Sequence, residues 1–184
     1  YKNKWIDPLK NEKIGKAKGD FTKSEELPNL AVESMFNATK NHLLANSELS
    51  KYDIKAAFTN VNGGVRADIA NGKIIYGNVY EAFPFDNEIV VVETTGKWLN
   101  SLSYNPGNCA IYKTYEQSFS STDTVYYITS DFLATGDLKQ YGKVVYETKL
   151  TIRDVIADAI RSKKTIVDSD YKTDGHSQFE KLDS

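Results

Sequence analysis

The stretch "GNVYEAFPFDNEIVVVETTGKWL", residues 77–99, changes its pattern of side chains twice and decides the fold class. Its first part predicts a short helix that Pro84 ends, because the residue before a proline is disfavoured in the helical region. Residues 87–95 are rich in β-branched side chains and predict a strand. A further helix is predicted from about Thr95, with Trp98 on its apolar side. Helix, strand and helix in this order indicate a domain that combines both element types.

The flanking sequence adds helices and strands without a regular alternation. Apolar side chains at helical intervals predict helices over residues 28–45 and 151–164, the second with cations in its last turn. Short apolar runs predict strands over residues 52–61, 123–130 and 143–150, and a loop is expected after the middle one. We therefore predict an α+β fold, a single domain with a mixed β-sheet flanked by helices.

The composition is that of a globular domain with a sizeable core. The chain has 184 residues, of which 40% are hydrophobic and 26% are charged. A net charge of −2, with scattered basic residues, gives no reason to expect a nucleic acid polymer as a partner. No run of apolar residues is long enough to predict a membrane span. The single cysteine, Cys109, excludes an internal disulfide, and no neighbouring base marks it as a nucleophile.

The polarity of the two ends predicts a division of the chain into three parts. Residues 1–20 are rich in lysine and are expected to form a linker from a missing N-terminal domain. Residues 21–166 are expected to form the domain itself, and residues 167–184 a polar tail. The chain shows neither an initiator methionine nor a signal peptide, and we expect it to be a piece of a longer protein.

No metal site and no catalytic nucleophile is expected in this chain. Asp174 and His176 form a D-x-H pattern in the polar tail, but the only other histidine is His42. Because a catalytic metal ion needs three or more protein ligands, a solvated tail is the more common outcome of such a pattern. The sequence also lacks a nucleophile elbow, a phosphate-binding P-loop and a dinucleotide fingerprint.

The segment "NVNGGVRADI", residues 60–69, has two interpretations. Two adjacent glycines most often mark a turn, and the turn would leave Arg66 on the surface. Alternatively, Asn62, Gly63 and Gly64 expose consecutive backbone N–H groups, which can form a concave anion site beside the arginine. The spacing alone favours the turn.

Two further loops carry side chains suited to a flat heterocycle and a sugar. "AFPFDN" contains Phe85 and Asn87, and "SDFLATGD" contains Phe132 and Asp137. Aromatic rings from two loops can enclose a base, a guanidinium suits a phosphate, and a carboxylate accepts from ribose hydroxyls. Each element alone is a weak signal, because most phenylalanines serve packing.

The order of these motifs resembles the C-terminal domain of the 5′-nucleotidase family. That family includes UDP-sugar hydrolases and 2′,3′-cyclic-nucleotide phosphodiesterases. The resemblance begins at "LPNLAVESM", takes in the three loops above, ends near "RDVIADAI" and covers most of the chain. It implies an N-terminal metallophosphoesterase domain, absent from this chain, in which two divalent metal ions support the chemistry. The C-terminal domain would bind the nucleotide and present it to those metals.

The resemblance also implies a role for individual residues. Arg66 occupies the position of an arginine that contacts the substrate. Phe85 and Phe132 occupy the positions of two phenylalanines that stack on the base. Asp137 corresponds to an aspartate that holds the ribose, and Asn87 to the asparagine of the second loop motif.

The sequence departs from the family pattern within each loop. Val61 stands where the family has asparagine and Asn62 where it has glycine, which predicts altered hydrogen bonding in the loop. Asp86 replaces a glycine and adds a negative charge near the base. One glycine is missing before Asp137, which puts its contact with the sugar in question. Ahead of the first helix, only Lys23 stands near the position of an expected arginine.

Two functions follow as expectations. The first is the nucleotide-binding domain of an exported 5′-nucleotidase-type phosphoesterase, extracellular or on the cell surface, as the resemblance implies. The isolated chain would then be inactive without the metal-binding domain of the same polypeptide. The alternative is a surface-displayed binding or interaction module that retains the fold without the chemistry.

Overall fold

The computed structural model describes residues 9–104, 108–115 and 117–173. The strands are β1 Lys13–Lys18, β2 Ile54–Asn60, β3 Gly72–Ile75, β4 Glu88–Thr95, β5 Cys109–Lys113, β6 Thr124–Ser130, β7 Lys143–Thr151 and β8 Thr165–Val167. The α-helices are α1 Glu26–Leu44, α2 Tyr76–Ala82, α3 Gly96–Tyr104, α4 Asp131–Thr135 and α5 Ile152–Lys163. Short 3₁₀ helices, Lys139–Tyr141 and Asp168–Tyr171, precede β7 and follow β8. The predicted α+β fold class is confirmed.

The strands form two mixed sheets instead of the one that the sequence predicts. The larger sheet has five strands in the order β5-β2-β6-β4-β7. Within it, β2 and β6 run parallel, and the other neighbours run antiparallel. The smaller sheet has three strands in the order β3-β1-β8, with β1 antiparallel to β3 and parallel to β8.

The larger sheet is buried on both faces, and this explains the continuous apolar run in β4. Ile89 and Val91 pack into the cluster that contains the buried faces of α1 and α5 and the smaller sheet. Val90 and Val92 face the opposite cluster, beneath α3 and α4. Full burial of such a side chain contributes roughly 1.5–3 kcal/mol, so neither face of β4 tolerates a polar residue without cost.

Helix α3 differs from its prediction in the orientation of one side chain. Trp98 was expected on the apolar side, but it is 38% exposed and lies edge-on against Tyr141. Leu99 and Leu102 fill the core position instead, and both are buried. The helix begins at Gly96, where a Cβ atom would lie 1.9 Å from the Ser120 carbonyl oxygen. This close approach requires glycine.

Packed structure extends into both segments that were expected to flank the domain. Strand β1, within the expected linker, is central in the smaller sheet, and its Ala17 is fully buried. Tyr171, within the expected tail, is buried and donates its hydroxyl to Glu33 Oε1 at 2.7 Å. The expected boundaries at residues 20 and 167 therefore do not coincide with the limits of packing. Asp174 and His176 lie outside the described residues.

Candidate functional site

The topology brings the three candidate loops to one edge of the larger sheet. Strands β2 and β6 are parallel, and β4 is antiparallel to β6, with Ile89 opposite Ser130. The loop after β2 (residues 61–71), the loop before β4 (residues 83–87) and the segment at the end of β6 (residues 130–137) therefore meet at the same edge. We call these three segments the loop edge.

The glycines of the first loop are required by a tight turn. Gly64 and Val65 donate their N–H groups to the Val61 carbonyl, each at 3.2 Å. A Cβ atom on Gly64 would lie 2.5 Å from the Asn60 carbonyl oxygen, so the position admits no side chain without a shift. Gly63 has φ +82°, a conformation that favours glycine, but open space surrounds its Cα. The turn interpretation is thus correct for the backbone.

Asn108 holds this loop in place, and sequence reasoning did not find it. The Asn62 N–H donates to Asn108 Oδ1 at 2.9 Å, and Asn108 Nδ2 donates back to the Asn62 carbonyl at 3.1 Å. The Val61 N–H donates to the Asn108 backbone carbonyl at 2.9 Å. The loop is therefore anchored through its backbone, while the Asn62 side chain remains exposed.

Arg66 joins the first loop to the second. Its backbone N–H donates to the Ala82 carbonyl at 2.9 Å, and its Nε donates to the Gly63 carbonyl at 2.8 Å. The guanidinium carbon lies 5.0 Å from the centroid of the Phe85 ring, within the range of a cation–π contact. Phe85 is 41% exposed. In the part of the chain that the structure describes, the two terminal nitrogens of Arg66 have no hydrogen-bond acceptor.

Phe132 presents a second ring at the same edge, from a helix instead of the expected loop. It is the second residue of α4 and is 60% exposed. The Ser130 hydroxyl caps this helix by accepting the Leu133 N–H at 3.0 Å. Asp131 Oδ1 accepts the N–H groups of Glu88 at 3.2 Å and of Phe132 at 2.9 Å. The short helix is thereby tied to the start of β4, which fixes the backbone that carries the ring.

Asn87 and Asp137 occupy different parts of the edge. Asn87 is half-buried, and its carbonyl accepts the Ile152 N–H at 3.0 Å, which links the second loop to α5. Asp137 is exposed and lies near Cys109.

Burial, with a smaller contribution from Asp137, raises the pKa of Cys109 to about 11. The thiol is therefore protonated at neutral pH, which argues against a nucleophilic cysteine.

Arg153 is the most heavily bonded side chain near the edge, and the sequence reasoning gave it no role. It is 8% exposed, although it stands near the start of an amphipathic helix. Its Nη1 donates to the carbonyls of Phe83 and Phe85 at 3.0 and 3.1 Å, and its Nη2 donates to Asp86. Burial favours the neutral form, but the bonds to Asp86 and Tyr76 outweigh it and raise the pKa of Arg153. The sequence did contain one indication of this role, because Arg153 is the single arginine among the apolar residues that form the buried face of α5.

The described residues offer no obvious place for a metal ion. No group of three or more histidine, cysteine, aspartate or glutamate side chains is suitably placed among residues 9–104, 108–115 and 117–173. In the same part of the chain, no helix has the length and apolar character needed to cross a membrane.

Comparison with known families supports the resemblance. Residues 13–103 match the family model described as "5′-nucleotidase, C-terminal domain". The matched region contains the first two loops of the edge and ends before Phe132 and Asp137. No curated protein matches the chain.

Solved structures show the same fold at low sequence identity. A 5′-nucleotidase precursor from Thermus thermophilus is 20% identical, with a TM-score of 0.71 over 98% of this chain and 41% of its own. An NAD nucleotidase from Haemophilus influenzae is 14% identical, with a TM-score of 0.65 over 99% of this chain and 40% of its own. A sulfate thiohydrolase from Thermus thermophilus is 9% identical, with a TM-score of 0.61 over 98% of this chain and 37% of its own.

The chain thus spans about two fifths of the length of these solved proteins. The resemblance to the C-terminal domain of the 5′-nucleotidase family is confirmed, in sequence over residues 13–103 and in fold over nearly the whole chain. The fold alone does not select a substrate, since it also occurs in a protein named for sulfate thiohydrolysis.

Proposed function

We propose that this chain, which resembles the C-terminal domain of the 5′-nucleotidase family, binds a nucleotide at the loop edge. It would present the phosphate ester to a separate N-terminal metallophosphoesterase domain of the same polypeptide. The observation that supports this most directly is the pairing of Arg66 with Phe85 on the edge that also carries the exposed Phe132. A cation and two aromatic rings are the groups that a phosphate and a base require.

The base would stack between Phe85 and Phe132. Both rings are substantially exposed, at 41% and 60%, so each has area that a ligand could cover. Stacking on an aromatic side chain contributes roughly 1–3 kcal/mol per base and tolerates different bases. Binding at this edge would therefore discriminate poorly between bases through stacking alone, and Asn87 is the nearby side chain suited to reading a base edge.

The phosphate would lie at Arg66. The bond from Nε to the Gly63 carbonyl fixes the orientation of the guanidinium and leaves its terminal nitrogens to form a bidentate contact. Gly63 leaves open space in the same turn, since no neighbouring atom lies within 4 Å of the position of a Cβ atom there. Asp137 is the candidate acceptor for the ribose hydroxyls, and its exposure leaves it available. The contribution of this chain would be orientation of the substrate, not chemistry.

Catalysis itself is proposed for the other domain. The two divalent metal ions that the resemblance implies would be held there, so no chemical step is assigned to the residues of this chain. Export of the parent protein to the cell surface or medium is a further proposal, which rests on the resemblance alone. The shortened loop before Asp137 favours the alternative function, a surface-displayed binding module without phosphoesterase activity.

Calorimetric titration of the chain with AMP, adenosine and UDP-glucose tests the proposal. We expect binding of AMP at sub-millimolar to millimolar concentration, and a loss of about tenfold in affinity for Phe85→Ala and for Phe132→Ala. Trp98→Ala is the matched control, because Trp98 is a similarly exposed aromatic residue outside the loop edge. Absence of binding by all three compounds at millimolar concentration would contradict the proposal and favour the interaction module.

A further inference from the structure

Arg153 makes contacts that converge on the loop carrying Phe85, although it belongs to a different element. It projects from the first turn of α5 and donates to the carbonyls on either side of Pro84, those of Phe83 and Phe85. Its other terminal nitrogen binds the Asp86 carboxylate. A single guanidinium therefore holds one short loop at three residues, Phe83, Phe85 and Asp86.

We propose that Arg153 is the positioning residue of the nucleotide site, and that it acts by fixing the Phe85 ring and by balancing the charge of Asp86. This inference rests on the proposed function for the identity of the ligand. Arg153 itself is 8% exposed and would not need to touch the nucleotide.

The partners of Arg153 require the planar guanidinium of an arginine. The Tyr80 ring lies 4.5 Å from its guanidinium carbon, and the Tyr76 hydroxyl accepts from its Nε at 3.3 Å. Tyr76 in turn donates to Asp154 at 3.0 Å, which orients the hydroxyl. A planar group with donors in several directions satisfies these partners at once, whereas a lysine ammonium carries no fork and stacks less well. Substitution by lysine would keep the charge and lose the geometry.

Arg66 covers one face of the Phe85 ring, the ring that Arg153 positions. The Arg66 guanidinium lies over the Phe85 ring at 5.0 Å, so a base would approach from the opposite side. A displacement of the loop would move the ring away from Arg66 and would separate the stacking surface from the phosphate contact. The relative placement of base and phosphate therefore depends on Arg153.

The ion pair between Arg153 and Asp86 also neutralises a negative charge near the proposed phosphate site. Asp86 stands in the second loop beside Phe85, and its side chain is 83% exposed. An unbalanced carboxylate there would repel the phosphate of a bound nucleotide. Arg153 neutralises this carboxylate, so Arg66 is not needed as its partner. The Arg66 guanidinium therefore stays available to bind the phosphate of the ligand.

The test compares Arg153→Lys with Arg161→Lys in the whole 184-residue chain. Arg161 is the matched control, because it lies on the same helix and forms an exposed ion pair with Asp158. For Arg153→Lys we expect about tenfold weaker AMP binding and faster amide hydrogen exchange at Phe83 and at residues 85–87. Arg161→Lys should change neither by more than about twofold. Unchanged exchange at Phe83 and at residues 85–87 would overturn the proposal whether or not the chain binds AMP.

A double variant separates positioning from general stabilisation. If Arg153 acts through Phe85, adding Arg153→Lys to Phe85→Ala should weaken AMP binding further by less than about twofold. A full additional tenfold loss would overturn the proposal. Failure of the wild-type chain to bind AMP would instead contradict the proposed function, and hydrogen exchange would still decide whether Arg153 holds the loop. If Arg153→Lys fails to fold, the exposed variant Asp86→Ala replaces it, with faster exchange expected and unchanged exchange overturning the proposal.

Discussion

The start of α1 and the loop edge both gather polar side chains, but those at α1 are buried, whereas several at the loop edge are exposed. At α1, the carboxylates of Glu26 and Glu33 and the amide of Asn29 are buried and bonded to residues 171–172. We call these residues the α1 cluster. At the loop edge, Arg66 and Asp137 remain exposed.

The difference assigns different roles to two motifs of the same family pattern. The segment "LPNLAVESM", residues 27–35, contains Asn29 and Glu33 of the α1 cluster, and both bond to Tyr171 and so tie α1 to the end of the described chain. Burial, with Glu33 nearby, raises the pKa of Tyr171, so its hydroxyl stays a donor to that carboxylate. The loop motifs instead use backbone bonds for their shape and leave side chains for a ligand. Substitutions should therefore affect stability in the first region and binding in the second.

The largest effect is expected for Glu26→Gln. Burial alone would raise the pKa of Glu26, but bonds from Lys172 and Thr22 outweigh it and lower the pKa from 4.5 to about 2. A carboxyl group whose pKa is lower in the folded state than in the unfolded state stabilises the fold at pH values above its unfolded-state pKa. This stability is lost as the pH falls from about 5 towards 2. We expect the variant to lose about 2–3 kcal/mol at pH 7, allowing for the partial exposure of Lys172.

Urea unfolding at pH 7 and pH 3 measures this contribution. The difference between wild type and Glu26→Gln should be large at pH 7 and should shrink at pH 3, where the wild-type carboxylate loses much of its advantage. Glu147→Gln is the control, because Glu147 forms a similar ion pair with Lys149 but is exposed. An equal difference at both pH values would show that charge at Glu26 is not the cause.

Arg66→Met is expected to change binding without changing stability. Methionine keeps an apolar contact with Phe85 and removes the charge, so AMP affinity should fall about tenfold while adenosine affinity stays within about twofold. Titration with both ligands and a urea unfolding curve measure the three quantities. Lys97→Met is the matched control, since Lys97 lies 5.2 Å from the Trp98 ring outside the loop edge. Equal losses for AMP and adenosine would contradict a phosphate contact.

The two glycines of the first loop test whether close approach of Asn60 or a positive φ determines the shape of this loop. Gly64→Ala should cost about 2 kcal/mol, because its Cβ would meet the Asn60 backbone at 2.5 Å. Gly63→Ala should cost only about 1 kcal/mol, since it pays for a positive φ but meets no neighbour within 4 Å. Thermal unfolding of both variants provides the comparison. A larger cost at Gly63 would mean that backbone conformation, not close approach, shapes the loop.

The helices and strands were accessible from the sequence because burial leaves a local periodic pattern. Helix α1 spans Glu26–Leu44 against a prediction of 28–45, and β4 spans Glu88–Thr95 against 87–95. The three loops were likewise recognised from their short motifs. Their meeting at one edge required the strand order of the larger sheet, which no periodicity contains.

The residues that the sequence reasoning missed act at long range. Asn108 pairs with Asn62 across 46 positions, and Arg153 reaches the carbonyls of Phe83 and Phe85 across about 70. An asparagine among turn residues and an arginine on a helix have ordinary local explanations. Tyr171 was assigned to a polar tail for a similar reason, because a single aromatic side chain among charges predicts little until its partner Glu33 is known.

The smallest effect is expected for Lys164→Gly. This variant tests whether the backbone near the tightly packed α1 cluster is free of conformational strain. Lys164 ends α5 with φ 66° and ψ −47°, and its carbonyl accepts the Lys16 N–H at 2.9 Å. Glycine adopts this conformation at lower cost, so the variant should gain about 0.5–1 kcal/mol. Ser162→Gly, within the helix, should lose a similar amount and serves as the control. Urea unfolding at pH 7 measures both, and a loss at Lys164 would mean that its side chain contributes more than its strained backbone costs.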